Sequence, residues 1–179
     1  MHNGHIIGGE ALVRWQNDKE MIYPDQFIPV LEKNGYVIDV DNFIWNKVCA
    51  CIKMMEDKGI EPVPISVNVS RMHVYQEKFT ENLKNMAGEY GIDPKYIPLE
   101  ITESAFTKEE GSLFKKVQSL QGYGFKFSMD DFGSGYSSLG MLKSERVDEV
   151  KIDKTFVDDI ATDKGKVLLA VSYTHLTLP

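Results

Sequence analysis

Five short segments of this chain share one pattern. Each looks like a β-strand with an apolar face and a polar face, and helical patterns separate them. The segments are Glu10–Trp15, Pro64–Val69, Leu99–Thr102, Phe125–Met129 and Val147–Ile152. Strands separated by helices predict an α/β fold with a mainly parallel sheet. Buried parallel strands usually read as continuous apolar runs. Here Glu10, Leu12 and Arg14 alternate with Ala11 and Val13, and Ser66 and Asn68 alternate with Ile65, Val67 and Val69. Glu100 and Thr102 oppose Leu99 and Ile101. Lys126, Ser128 and Asp130 oppose Phe125, Phe127 and Met129. Glu149, Lys151 and Asp153 oppose Val150 and Ile152.

The apolar faces suit covering helices. The polar faces either meet solvent or converge inside a barrel, whose sites lie at the carboxyl ends of the strands. The parallel connectivity favours convergence, because sheets with one wet face are normally antiparallel.

Between the strands, Val40, Phe43, Ile44, Val48, Cys51, Ile52 and Met55 mark one helical face, stopped by Gly59. Phe79, Leu83, Met86, Ala87 and Tyr90 mark a second, stopped by Gly91. Thr107 and Glu110 read as a capping box for a third, carried by Leu113, Phe114, Val117 and Leu120. A last helix is expected from near Lys154 through Phe156, Val157 and Ile160.

The convergent face is rich in oxygen donors: Glu10, Asn68, Glu100, Asp130 and Asp131. Crowded carboxylates repel one another unless a cation intervenes, and oxygen-only sets suit hard ions such as Mg²⁺ or Mn²⁺. The neighbouring Asp130 and Asp131 are able to serve two ions, a standard arrangement for phosphodiester cleavage. Lys151 is placed to orient a water or a phosphate oxygen, and Arg14 to clamp a phosphate with its planar fork. Each residue also has a structural alternative. Arg14 could pair with a surface acid, Lys151 could pair with Asp153, and Asp131 could cap a turn. None of the four histidines lies on these faces, and His2, His5 and His73 are expected at the surface or in loops. Cys49 and Cys51 face apart on a helix and suit packing rather than a metal clip. Gly133–Ser134–Gly135 is expected in a mobile loop beside the site.

With 27 acidic and 20 basic residues, the formal net charge is −7. Such a chain has no general attraction for a DNA or RNA polymer. The longest apolar run, Val167–Val171, is far shorter than the roughly 20 residues of a membrane span. A cytoplasmic location follows as the expectation, with a membrane tether left open for a longer parent.

The motifs GGEALVRW (Gly8–Trp15), ISVNVS, LEITES, DDFGSGYSSL and VKID resemble, in order and spacing, those of the EAL domain, the bacterial cyclic di-GMP phosphodiesterase family. The resemblance implies a modified (β/α)₈ TIM-like barrel and hydrolysis of cyclic di-GMP to linear pGpG with two Mg²⁺ or Mn²⁺ ions. Glu10, Asn68, Glu100 and Asp130 would then bind the first ion, and Asp130 and Asp131 would serve the second. Lys151 would hold the catalytic water, and Leu12 and Arg14 would contact the ligand. Glu103 would anchor the loop after Asp131, and Asp153 would support the site from behind.

The family's opening strand and last two strands, the latter carrying a metal-binding Glu and a guanine-reading Gln, have no counterpart here. Residues 8–171 are therefore expected to form a partial EAL domain of impaired activity, with residues 172–179 a non-native or frame-shifted tail. A homodimer and fusion to sensory or GGDEF domains are expected of the complete protein. The alternative is a receptor module that binds cyclic di-GMP without cleaving it. An unrelated enolase-like barrel also fits the carboxylates and lysine, but leaves the five motifs unexplained.

Overall fold

The computed structural model describes residues 5–18, 20–106, 110–132 and 147–154. Five of its strands form one parallel sheet: β1 (Gly9–Ala11), β4 (Ile65–Asn68), β5 (Leu99–Thr102), β6 (Phe127–Phe132) and β7 (Glu149–Ile152), in that spatial order. Each new strand joins the same edge as its predecessor. Doubly wound sheets reverse direction, whereas this order is that of a barrel wall. Parallel crossovers are almost always right-handed, so an unreversed order puts the connecting helices on one face.

Those helices are α2 (Val37–Asp57), α4 (Phe79–Tyr90) and α6 (Glu110–Gln121). Trp45 and Ile52 of α2, Leu83 of α4, and Leu113 and Leu120 of α6 join Val67, Leu99, Ile101, Phe127 and Met129 in one core. The register keeps the faces separate. Val67 lies beside Leu99 and Leu99 beside Phe127, while Asn68 lies beside Glu100 and Glu100 beside Ser128. A single-residue slip would exchange the two sets.

The helical periodicities hold. Gly59 and Gly91 end α2 and α4 with φ of 68° and 65°, a left-handed conformation that costs glycine little. Among the described residues no helix is long and apolar enough to cross a membrane. Cys49 and Cys51 are free thiols on α2, and burial pushes the Cys49 pKa up to about 12.

The structure departs from expectation at four places. The expected strand Glu10–Trp15 stops at Ala11. Trp15 and Gln16 (β2) pair antiparallel with Met21 and Ile22 (β3), closed by Asn17, whose main-chain N–H donates to the Glu20 carbonyl at 3.1 Å. Leu12 and Arg14 therefore do not continue the face that carries Glu10.

Helix α1 (Pro24–Asn34) was not anticipated. Pro24 suits a first helical turn, but Pro29 and a single fully buried residue, Phe27, hide its periodicity.

The fourth strand runs from Phe127 to Phe132 rather than Phe125 to Met129, and a register shift falls between Met129 and Phe132.

His73 is neither at the surface nor in a loop. It is fully buried on the short helix α3 (Arg71–Val74). Thr107, the Gly133–Ser138 segment, the last expected helix beyond Lys154 and the tail 172–179 lie outside the described residues.

Candidate functional site

The polar face of the sheet gathers side chains from separate strands. Glu10 from β1 accepts a hydrogen bond from Asn68 Nδ2 of β4 at 3.2 Å. Lys151 of β7 lies 3.4 Å from Glu10 Oε2 and hydrogen-bonds Glu100 Oε1 of β5. One ammonium thus joins three strands and Glu10 ties in the fourth through Asn68, although Glu10 and Lys151 lie 141 residues apart in sequence.

Glu100 is the deepest member. It is 1% exposed, and its Oε2 has no hydrogen-bond partner among the described residues. An ionised carboxylate so placed is tolerable only with a counter-charge. Lys151 supplies it. Burial disfavours the ammonium, but the hydrogen bond to Glu100 and the charges of Glu100, Glu10 and Asp130 outweigh that, so its pKa lies above the ordinary lysine value. In this arrangement Lys151 carries its proton and donates to both carboxylates.

Asp130 lies beside Thr102 in the register and is half-buried. Asp131 adopts a φ of 56°. That left-handed backbone, together with the register shift, breaks the two-residue alternation at the strand end. Burial, then the charges of Asp130 and Asp153, hold the Asp131 carboxyl above its usual range. Glu103, at the start of α5 (Glu103–Phe106), is 2% exposed.

Leu12 and Arg14 stand outside this cluster. Leu12 is 56% exposed and helps line a cavity of about 850 Å³ that reaches Asn68 on one side and α1 and α2 on the other. The Arg14 guanidinium stacks over Tyr23, 5.5 Å from the ring centre. Among the described residues no three Asp, Glu, Cys or His side chains converge tightly enough to hold an ion, and the Lys151 ammonium lies against both Glu10 and Glu100.

Sequence reasoning missed one arrangement beside this site, the buried set Asp41, Trp45 and His73 behind Asn68. Asp41 had a signal, an acid within an apolar helical face.

The sequence matches the EAL domain family over residues 1–177. The chain belongs to the EAL domain family. This EAL domain is similar to the bifunctional diguanylate cyclase/cyclic di-GMP phosphodiesterase MucR of Pseudomonas aeruginosa, with 32% identity over 175 residues, 97% of this chain and 26% of MucR. It is similar to the oxygen sensor protein DosP of Escherichia coli, with 32% identity over 174 residues, 97% of this chain and 22% of DosP. The solved structure of the PaMucR phosphodiesterase in complex with c-di-GMP superposes with a TM-score of 0.83 at 29% identity, covering 97% of this chain and 71% of that one. The chain thus spans about a quarter of the length of these curated relatives. The five-stranded sheet of this EAL domain corresponds to part of a (β/α)₈ barrel wall.

Proposed function

We propose that this chain is the catalytic part of a cyclic di-GMP phosphodiesterase that opens the cyclic dinucleotide to linear pGpG. The observation that carries the reading is the meeting of Glu10, Asn68, Glu100 and Lys151 from four parallel strands. Membership of the EAL family and the likeness to MucR supply the substrate class.

The donor chemistry suits hard divalent ions, which would take the place that the Lys151 ammonium holds between Glu10 and Glu100. The donors are all oxygen, and Glu100 Oε2 is a buried acceptor with no partner among the described residues, as a cation ligand would be. Glu10, Asn68 (through its amide oxygen), Glu100 and Asp130 would hold one ion, and Asp130 and Asp131 a second. Bound there, Mg²⁺ or Mn²⁺ would polarise the phosphodiester and acidify an attacking water.

The protein's own contribution is placement. Lys151 carries three donors, of which two already meet Glu10 and Glu100. The third has no partner among the described residues and would orient a water or steady a phosphate oxygen. Arg14 would clamp phosphate as a planar fork, and Leu12 would cover an apolar part of the ligand. Glu103 would anchor the chain after Asp131, and Asp153 would act on Asp131 from behind.

MucR joins a cyclase to its phosphodiesterase and DosP senses oxygen. We place this chain likewise within a longer signalling protein.

The test is incubation of the chain with cyclic di-GMP and Mn²⁺, followed by chromatography for pGpG. Product that vanishes on chelation supports the reading. Binding without product, indifferent to Mn²⁺, would make the chain a receptor module instead.

A further inference from the structure

Helix α2 braces the site without contributing a side chain to it. Trp45 is 1% exposed, and its indole N–H donates to the Asn68 carbonyl at 3.1 Å. The His73 imidazole lies flat on that indole, with ring centres 4.4 Å apart and planes within 10°. Its Nδ1 stands 3.2 Å from Asp41 Oδ2. The same oxygen accepts the Ser70 main-chain N–H at 3.0 Å and the Ser70 hydroxyl at 2.6 Å. Helix α2 therefore grips the chain on both sides of Val69, at the carbonyl of residue 68 and the amide of residue 70.

The imidazole is an expensive way to fill this space. Asp41 accepts from Nδ1–H, which leaves Nε2 buried with no partner among the described residues. A leucine would fill the volume without an unsatisfied polar atom. What histidine adds is a flat ring to hold the indole and a donor to hold Asp41. Beyond this brace, the Asn68 amide reaches Glu10 at 3.2 Å.

We propose that Trp45 and His73 are positioning residues that act through the main chain of Asn68, fixing its side-chain amide in register with Glu10. The consequence for cation binding rests on the reading of Asn68 as a ligand. Groups that orient a ligand from behind typically change metal affinity by roughly 10- to 100-fold.

The test is Mn²⁺ titration of the full chain by calorimetry. Trp45→Phe keeps an aromatic ring and deletes the N–H, and it should raise the Mn²⁺ dissociation constant roughly tenfold. His73→Phe keeps the stack and deletes the donor to Asp41, and it should shift the constant in the same direction. In an Asn68→Ala background Trp45→Phe should have no further effect, because the residue through which it acts is gone. An unchanged constant in Trp45→Phe, or an undiminished effect in the Asn68→Ala background, overturns the proposal.

If the wild-type chain takes up no Mn²⁺, the metal reading fails by itself. Positioning is then read from the Asn68 side-chain amide in a nitrogen-edited NMR spectrum. Resonances displaced in Trp45→Phe, with the core methyl signals in place, support the brace, and unmoved resonances overturn it. Should Trp45→Phe not fold, His73→Phe carries the same comparisons.

Discussion

Lys151 and Glu100 stand on strands separated by β6, yet the ammonium of one hydrogen-bonds the buried carboxylate of the other. This pairing helps to hold the Lys151 pKa above the ordinary lysine value and fixes the direction of its side chain. Lys151→Ala should lower turnover roughly 100-fold, the scale of losing one well-placed donor. Mn²⁺ affinity should not weaken, because a competing cation has left the carboxylates. Initial rates of pGpG formation and calorimetric titration check both halves. A joint fall of rate and affinity would reduce Lys151 to a structural role.

Asp130→Asn should behave differently. It keeps the shape and removes a charge next to the proposed ions. Mn²⁺ affinity and turnover should fall together, each by roughly tenfold or more. Equal affinity in the variant and the wild type would remove Asp130 from the ligand set.

Asp131 sits at positive φ, where Asn is as comfortable as Asp. Its carboxyl pKa is raised by burial and by Asp130 and Asp153, so ionising it opposes folding. The stabilising protonated form is lost as pH rises through the folded pKa, leaving a net cost at neutral pH. Asp131→Asn should therefore raise Tm in EDTA at pH 7. It should also shrink the Tm gain that the wild type shows on adding Mn²⁺. Paired thermal scans with and without the ion provide the readout.

Asp148 ties the start of β6 to the chain before β7. It accepts the Phe127 main-chain N–H at 2.9 Å and pairs with Lys126 at 2.6 Å. Partial burial raises its pKa, but the bonds from Lys126, Phe127 and Gln121 outweigh this and leave it lowered. A lowered folded pKa adds stability above the unfolded value of about 4, and that stability disappears as pH falls through the folded pKa. Asp148→Ala should cost about 1 kcal/mol at pH 7, mostly for the orphaned amide, since the exposed lysine pairing is screened. Urea unfolding at pH 7 and below pH 3 should show the gap narrowing in acid.

Phe127 is 1% exposed in the core between the sheet and its helices. Phe127→Ala should remove about 3–5 kcal/mol of stability and lower Tm by roughly 10 °C. Calorimetry would show it, and a loss below 1 kcal/mol would mean that the core is loosely packed.

Much of the architecture was legible because two periods wrote it. The segment Leu99–Thr102 alternates cleanly and appears as a strand with those bounds. Likewise α4 spans Phe79–Tyr90, as its apolar face and Gly91 foretell. Glu10, Asn68, Glu100 and Lys151 were legible as one cluster because parallel register carries like faces together. Arg14 shares their face by strand alternation, but β1 ends at Ala11 and the alternation does not reach it. The burial of His73 is not legible in its neighbourhood, because its short helix carries no periodic signal. Its burial depends on Trp45 and Asp41, which lie 28 and 32 positions earlier in the chain.

The ammonium lodged between Glu10 and Glu100 also bears on assembly. A cluster of bare acids would have to wait for an ion before its strands could close. Here the chain brings its own counter-charge, so this wall of the sheet is able to close without waiting for an ion.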